Sequence, residues 1–391
     1  MPSPTSAPRR SLRTAGLFAG VGGLEKGLSR AGHETALFCE IDPGALAVLE
    51  SRFPGVTRHD DVRTLRQLPK GVELVTAGFP CQDLSQAGKT AGIEGSRSGL
   101  VGEVFRLIEK HRAPFVLLEN VPFMMQLSRG RALDVIVTTL EHLGYRWAYR
   151  VVDTRAFGLP QRRERVFLLA SREEDPRAVL LVDDAGAPEE EPSGPVAYGF
   201  YWTEGIRGLG WAVDAVPTLK GGSAIGIPSP PAILLPSGAL VKPDVRDCER
   251  LQGFTSDWTK PAESVSKRGR WQLVGNAVTV DVAAWIGEKL ALPGVYDDED
   301  DVPLPKGRPW PRAAWGSREG RFAASVSAFP ERRPRTPLAE FLRFPKEPLS
   351  ARATAGFLSR ARTGSLRFPP GFLDKVERHL ERMREELAAA V

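Results

Sequence analysis

The 391 residues include only three cysteines, Cys39, Cys81 and Cys248, and they lie far apart. Because no C-x2-C pair occurs, we expect neither a disulfide framework nor a cysteine zinc site, and we assign no metal. No run of eighteen apolar residues is present, which excludes a membrane-spanning helix. The arginine-rich first residues lack the apolar stretch that follows in a signal peptide. We therefore expect a cytoplasmic protein in a reducing compartment.

The charge is uneven along the chain. The formal net charge is +5, and residues 302–391 carry 18 Lys and Arg against 9 Asp and Glu. A basic surplus of this kind is compatible with a polyanionic partner, although many basic proteins bind none. The apolar fraction of 42% is that of an ordinary globular protein.

Short apolar β-like runs alternate with helical patterns from about residue 13 to 171. Asp42 followed by Pro43 is a typical helix start. The alternation predicts an α/β fold with a doubly wound, mainly parallel sheet. Acidic residues then mark a connector, and a segment rich in Gly, Pro and aromatic residues predicts a small domain of irregular β structure. The predicted segments are a catalytic domain at 12–171, a recognition region at 172–245, a return at 246–294 and a basic, partly helical extension at 295–391.

One helix near the C-terminus has a regular apolar stripe. Its apolar positions fall at alternating spacings of three and four: Leu373, Val376, Leu380, Met383 and Leu387. Such a stripe usually packs on its own domain, and a partner helix is the alternative.

Two features near the start of the chain are typical of a nucleotide-type site. Closely spaced glycines, Gly20, Gly22 and Gly23, follow the first predicted strand and open a helix. There the backbone can approach a cofactor closely, although a tight structural turn needs glycines as well. Glu40 ends the second predicted strand, where an acid binds ribose hydroxyls in dinucleotide-type folds. Asp61 follows a third strand.

Eight segments, in this order and spacing, resemble the DNA (cytosine-5) methyltransferases. The resemblance spans about 270 residues and rests on LFAGVGGLEKGL (17–28), CEID (39–42), DDV (60–62), GFPCQDLS (78–85), ENV (119–121), GLPQRRERVF (158–167), RDCERLQGF (246–254) and VGNAV (274–278). It implies a Rossmann-like domain that uses S-adenosylmethionine, with double-stranded DNA as substrate.

The resemblance also implies a cofactor pocket. Phe18 is expected against the adenine, Glu40 on the ribose and Asp61 near the adenine amino group. The remaining residues expected to line the pocket are Gly20, Gly22, Gly23, Ile41, Val62, Pro80, Leu100, Asn276 and Val278.

The chemistry implied for the site needs a nucleophile and an acid. Cys81 adds to C6 of a cytosine while Glu119 engages N3, so that C5 becomes nucleophilic and accepts a methyl group. Arg165 and Arg163 are expected to hold the base and favour the thiolate. The cytosine must first rotate out of the duplex. The glycine-rich loop 86–97 is expected to close over the DNA.

Supporting and recognition residues complete the predictions. The side-chain amides of Asn120 and Gln161 are expected to hold the Cys81 and Glu119 loops in register. Base-specific contacts are expected from the 198–245 segment, in which Thr218, Leu219 and Lys220 resemble a recurrent recognition motif. The aromatic cluster of that segment is predicted to form domain core.

The chain departs from the family at two positions. Many members carry an acid where this chain has Gly16, and Ile41 stands where an aromatic residue often packs on the adenine. Three other functions remain to be compared with these residues. A tRNA cytosine methyltransferase of the same superfamily usually shows a Cys-Phe-Thr tripeptide, which is absent here. A non-catalytic scaffold does not need Cys81, Glu119 and Arg165, and a zinc deaminase needs a second cysteine after Cys81. We expect a monomer, with a cognate restriction or defence system as a possible partner.

Overall fold

The computed structural model describes residues 9–80, 99–188, 195–221, 230–265 and 269–389. Its α-helices are α1 Gly23–Arg30, α2 Pro43–Arg52, α3 Leu100–His111, α4 Arg131–His142, α5 Arg177–Leu180, α6 Val245–Leu251, α7 Gly269–Asn276, α8 Val280–Ala291, α9 Leu338–Phe341, α10 Ala351–Thr363 and α11 Phe372–Ala389. Its strands are β1 Arg13–Leu17, β2 Glu34–Cys39, β3 Thr57–His59, β4 Leu74–Ala77, β5 Phe115–Asn120, β6 Arg146–Asp153, β7 Gln161–Arg162, β8 Glu164–Ser171, β9 Tyr198–Phe200, β10 Trp211–Val213, β11 Val216–Pro217, β12 Ala232–Leu234, β13 Leu240–Lys242, β14 Val302–Pro303, β15 Ala313–Ser317, β16 Gly320–Ala323 and β17 Glu347–Pro348.

The chain divides into two compact units. Unit 1 comprises residues 1–156, 164–187 and 278–331, and unit 2 comprises residues 157–163, 188–277 and 332–391. The basic C-terminal segment is therefore shared between the units, and no unit boundary falls near the predicted position 294.

Unit 1 contains a ten-stranded sheet in the order β14-β16-β15-β6-β8-β5-β4-β1-β2-β3. The neighbours from β5 to β3 pair in parallel, as the β-α alternation predicts. The other half pairs antiparallel, from β5/β8 onward. The α/β class is confirmed, but the mainly parallel sheet is corrected, since β8 reverses direction and the short strands β14 to β16 extend the sheet.

The parallel half places five strand ends along one edge. Parallel strands end at the same side of a sheet, so the residues following β1 to β5 lie along its carboxyl edge. The Asp42 side chain accepts hydrogen bonds from the backbone N–H of Gly44 and Ala45, which caps α2 as predicted. A large apolar core packs beneath this edge, including Leu17, Ala77 and Leu118.

Unit 2 is built on a five-stranded antiparallel sheet in the order β10-β9-β12-β13-β17. The predicted aromatic cluster is core: Phe200 packs on Phe357 with ring centroids 4.5 Å apart. The amphipathic helix α11 packs on the same core through Phe372, Val376 and Leu380. Its stripe therefore faces its own unit, as expected, whereas Leu387 near its end is exposed.

None of the helices within the described ranges is long and apolar enough to cross a membrane.

Candidate active site

The glycine-rich loop after β1 has a backbone that most residues cannot adopt. Phe18, Gly20 and Gly22 all have positive φ, at 55°, 55° and 78°. A Cβ at Gly23 would lie 2.3 Å from the carbonyl oxygen of Val278, so these two predicted pocket residues are in direct contact. The turn therefore requires glycine for close backbone approach as well as for φ.

Glu40 holds this loop through its carboxylate. Oε2 accepts a hydrogen bond from the backbone N–H of Gly20 at 2.7 Å, and Oε1 accepts from those of Ile41 and Asp42 at 2.9 Å each. Burial raises the pKa of Glu40, while these backbone N–H groups act in the opposite direction. The acid predicted to bind a ribose therefore also ties the ends of β1 and β2 together.

The other residues predicted to line a cofactor pocket have varied surroundings. Asp61 forms an ion pair with Arg63, with Oδ2 and Nη2 2.7 Å apart, and this hydrogen bonding lowers the pKa of Asp61. The Ile41 side chain is 63% exposed, whereas Val62 is buried in the core. Pro80 is exposed, and the half-buried Leu100 begins α3. Asn276 is an exposed residue at the end of α7 in unit 2.

Two of the predicted catalytic residues of unit 1, Glu119 and Arg165, are adjacent. Glu119 lies at the end of β5, and its Oε1 is 3.1 Å from Nε of Arg165 on the neighbouring strand β8. Both side chains are largely buried, at 11% and 14% exposure. A Cβ at Gly78 would lie 3.4 Å from the other carboxylate oxygen of Glu119. The acid therefore faces the start of the Gly78-Phe79-Pro80 turn that leads to Cys81.

Asn120 fixes that turn. Its Nδ2 donates to the carbonyl oxygen of Phe79 at 3.0 Å, and its Oδ1 accepts from the backbone N–H of Val121 at 2.9 Å. The amide thus links the strand that carries Glu119 to the segment before Cys81. Cys81 itself and the loop 86–97 lie outside the described residues.

The other two cysteines are poor nucleophiles. Cys39 and Cys248 are both buried and free. Burial raises the pKa of the Cys39 thiol to about 12 and that of Cys248 well above its usual value. A thiol attack at neutral pH is therefore not expected from either residue.

Arg163 is a buried residue of unit 2. Its guanidinium is 1% exposed and belongs to unit 2. There it donates to the backbone carbonyls of Leu219, Gly275 and Ala277, at 3.3, 3.2 and 2.7 Å. A side chain bound in this way positions the backbone of unit 2, and its predicted contact with the base stays a prediction.

Gln161 holds backbone segments of unit 2 together. Its Nε2 donates to the carbonyl oxygen of Leu251 at 2.8 Å, and its Oε1 accepts from the backbone N–H of Leu219 at 3.1 Å. The Thr218 hydroxyl donates to the carbonyl oxygen of Arg162 at 3.0 Å. Leu219 is 4% exposed and therefore packs inside unit 2, whereas Thr218 is half-buried, and base contacts from these two residues stay a prediction.

Lys220 differs from these two neighbours. Its ammonium lies 2.9 Å from Glu204 and 3.9 Å from the centre of the Tyr201 ring. Its side chain is 36% exposed and can reach solvent. Lys220 is therefore a member of the predicted recognition motif with an accessible side chain.

Sequence reasoning missed a buried acid beside the glycine-rich loop. Glu25 is 1% exposed, and its Oε1 accepts a hydrogen bond from the Thr76 hydroxyl at 2.7 Å. A Cβ at Gly16 would lie 2.3 Å from the same oxygen, so the glycine makes room for this carboxylate. Its Oε2 has no hydrogen-bond partner among the described residues. Nothing in the local pattern of α1 signals this burial.

Glu25 makes the stability of unit 1 depend on pH. Burial raises its pKa from 4.5 to about 7. The folded chain therefore holds this proton more tightly than the unfolded chain, and the stabilisation present below pH 4.5 is lost as the pH rises through 7. For Glu25→Gln we expect the free energy of unfolding to exceed that of the wild type at pH 8 by up to about 3 kcal/mol, with a much smaller difference at pH 5.

Urea unfolding at the two pH values measures this effect. The exposed Glu34→Gln variant serves as the control and should follow the wild type at both. If Glu25→Gln changed the free energy of unfolding equally at pH 5 and pH 8, the raised pKa assigned to Glu25 would be contradicted.

The chain is similar to known methyltransferases. Residues 12–196 match the family model described as C-5 cytosine-specific DNA methylase. The type II methyltransferase M2.BsuMI of Bacillus subtilis (strain 168) is 47% identical over 393 residues, which cover 96% of this chain and 100% of that protein. M.MspI of Moraxella sp is 29% identical over 299 residues, 71% of this chain and 69% of that protein. The crystal structure of S. pombe Dnmt2 methyltransferase covers 71% of this chain and 98% of its own at a TM-score of 0.51 and 15% identity, which supports the fold alone.

Proposed function

The chain belongs to the C-5 cytosine-specific DNA methylase family and is a DNA cytosine-5 methyltransferase, and on that premise we propose how it acts. It transfers the methyl group of S-adenosylmethionine to C5 of a cytosine rotated out of double-stranded DNA. The contact between Glu119 and Arg165, beside the turn that leads to Cys81, carries the proposal. The 47% identical relative is a type II methyltransferase, which favours DNA over tRNA as substrate and a protective role against a cognate nuclease.

The carboxyl edge of unit 1 fits a nucleoside cofactor. A Cβ at Gly20 would meet no atom of the described residues within 4 Å, so the loop backbone borders open space in that part of the chain. The exposed Ile41 and the half-buried Phe18 offer apolar surface for a flat base. Glu40 and Asp61 offer carboxylate oxygens to ribose hydroxyls and to an amino group. We propose that these residues, with Leu100 and Val278, hold S-adenosylmethionine.

The proposed methyl transfer uses catalytic residues of unit 1. The Cys81 thiolate forms a bond to C6 while Glu119 gives a proton to N3, which makes C5 nucleophilic. S-adenosylmethionine, when bound, supplies a methyl group on a positively charged sulfur. After C5 has taken that methyl group, the C5 proton passes to water and the bond between Sγ and C6 breaks. The N3 proton returns to Glu119, so the enzyme is regenerated and one proton is released.

Arg165 has a supporting role in this mechanism. Its guanidinium lies on the Glu119 carboxylate and also donates to the carbonyl oxygen of Glu164 at 2.8 Å. This fixed cation orients the acid and favours a nearby thiolate. Extrusion of the cytosine costs a few kcal/mol, which binding in the site must repay.

Bisulfite sequencing tests the proposed function. We expect DNA from cells that express the chain to show protected cytosines within one sequence context and none without it. The readout identifies the base, its position and the recognised site together. Absence of protected cytosines, with the chain expressed and folded, would contradict the proposal.

A further inference from the structure

A pocket on unit 1 is lined by four exposed cationic side chains outside the proposed active site. Arg129 and Arg131 flank the start of α4, and Lys306 and Arg308 belong to the turn that precedes β15. Trp310 contributes an apolar surface to it. We refer to these five residues as the basic pocket.

The cations of the basic pocket have no acidic partner. Within the described ranges, neither Arg129 nor Arg131 forms an ion pair, and the same holds for Lys306 and Arg308. The acid in the pocket lining, Asp134, is 2.5 Å from Arg321, whose guanidinium also lies 2.9 Å from Glu141. Four positive charges in one depression repel each other, and a bound anion would relieve that repulsion.

Contacts of Trp310 hold together the segments that line the basic pocket. The Trp310 indole Nε1 donates to the carbonyl oxygen of Gly130 at 2.9 Å, and its ring packs edge-on against Trp147 and Tyr149 at 6.1 Å each. A Cβ at Gly130, whose φ is 84°, would lie 2.9 Å from Trp310. The hydrogen bond from the Trp310 indole to Gly130 therefore joins the Lys306–Trp310 segment to the start of α4.

The backbone before α4 is strained. Ser128 and Arg129 both have positive φ, at 52° and 59°, although neither is glycine. Such conformations are costly for residues other than glycine and tend to occur where function requires a particular geometry.

Chain topology links the α4 side of the basic pocket to the strand that carries Glu119. Only ten residues separate Asn120, at the end of β5, from the start of α4. That crossover starts at the carboxyl edge of the sheet, where Glu119 lies. We propose that the basic pocket binds the phosphodiester backbone of the DNA whose cytosine is methylated, on a stretch that flanks the target base. This inference rests on the proposed function and extends it to residues of the C-terminal segment.

The salt dependence of DNA binding tests the proposal. In full-length Lys306→Ala/Arg308→Ala, we expect the affinity for a duplex at low salt to fall about tenfold, whatever its sequence. The slope of log K against log salt concentration should become shallower by about 2, close to one for each lost phosphate contact. Fluorescence anisotropy with a labelled duplex measures both quantities.

A matched control separates the effect of losing the basic pocket from the effect of lowering the net charge of the protein. Arg66→Ala/Lys70→Ala removes the same charge from exposed side chains that precede β4, at the opposite edge of the sheet. Its slope and affinity should equal those of the wild type. Equal losses in both variants, or no loss in the pocket variant, overturn the proposal.

Two further outcomes are decisive. If the pocket variant loses binding of inorganic pyrophosphate but keeps its DNA affinity and slope, the pocket serves a free phosphate ligand and the DNA assignment is overturned. If the wild type methylates cytosine while the pocket variant keeps the full salt slope, this inference fails and the proposed function stands. A wild type without cytosine methylation rejects the proposed function itself.

Discussion

Replacing Cys81 with serine is expected to lower the rate of methyl transfer by about 10⁴-fold or more, while the affinity for S-adenosylmethionine changes by no more than about twofold. A serine hydroxyl remains protonated at neutral pH, whereas a thiol beside a positive charge ionises and attacks readily. Loss of a nucleophile is among the largest single effects in enzymes. Transfer of a tritiated methyl group to DNA and calorimetric titration of the cofactor measure the two quantities.

Cys39→Ala supplies the matched control. Cys39 is buried at the end of β2, and burial raises the pKa of its thiol to about 12. This variant should retain activity within about threefold, at some cost in stability. Full activity in Cys81→Ser, or equal losses in the two variants, would exclude Cys81 as the nucleophile.

Glu119→Gln is expected to lower kcat by about 10²- to 10³-fold with little change in the affinity for duplex DNA. The amide can still donate a hydrogen bond to N3, but it cannot transfer a proton, and general acid catalysis contributes an effect of this size. The substitution also replaces the charged partner of Arg165, which lies 3.1 Å away. Single-turnover methylation with preformed enzyme–DNA complexes isolates the chemical step.

Glu103→Gln is the control for the loss of an Arg–Glu pair. Glu103 lies on α3 and is 2.6 Å from Nε of Arg106, within the same unit. An ion pair of this kind contributes little to stability, so kcat should be unchanged. A Glu119→Gln rate within threefold of the wild type would show that the acid does not assist the reaction.

The sequence predicts the parallel half of the sheet because neighbouring residues are enough to indicate each strand and each helix of the β-α alternation. Asp42 with Pro43, and the apolar runs before Gly78 and through Glu119, specify their own elements. The antiparallel half could not be predicted in this way. Strands β14 to β16 are two to five residues long and acquire their register only by pairing within the sheet, as Ala313 does with Arg150.

Local sequence also could not predict the separate positions of Arg163 and Arg165. Arg163 and Arg165 are two residues apart, but the chain passes from unit 2 to unit 1 between residues 163 and 164. Arg163 therefore binds backbone carbonyls of unit 2, whereas Arg165 binds Glu119 in unit 1. Local sequence could not separate these roles, because the difference arises from partners more than forty residues away.

Glu25 shows what sequence cannot indicate about burial. An acid on a helix face is normally solvated, and this one is buried because Gly16 on β1 leaves room for it. By contrast, the strand order alone brings Asn120 and Phe79 to one edge, because β4 and β5 are adjacent parallel strands.

Trapping with DNA that contains 5-fluorocytosine at the target position tests the central claim most directly. Fluorine at C5 cannot leave as a proton does, so the covalent complex should persist once the methyl group has been transferred. The account predicts a denaturation-resistant complex that forms only with S-adenosylmethionine and maps by mass spectrometry to Cys81. A methylated product without such a complex, or an adduct at another residue, would contradict it.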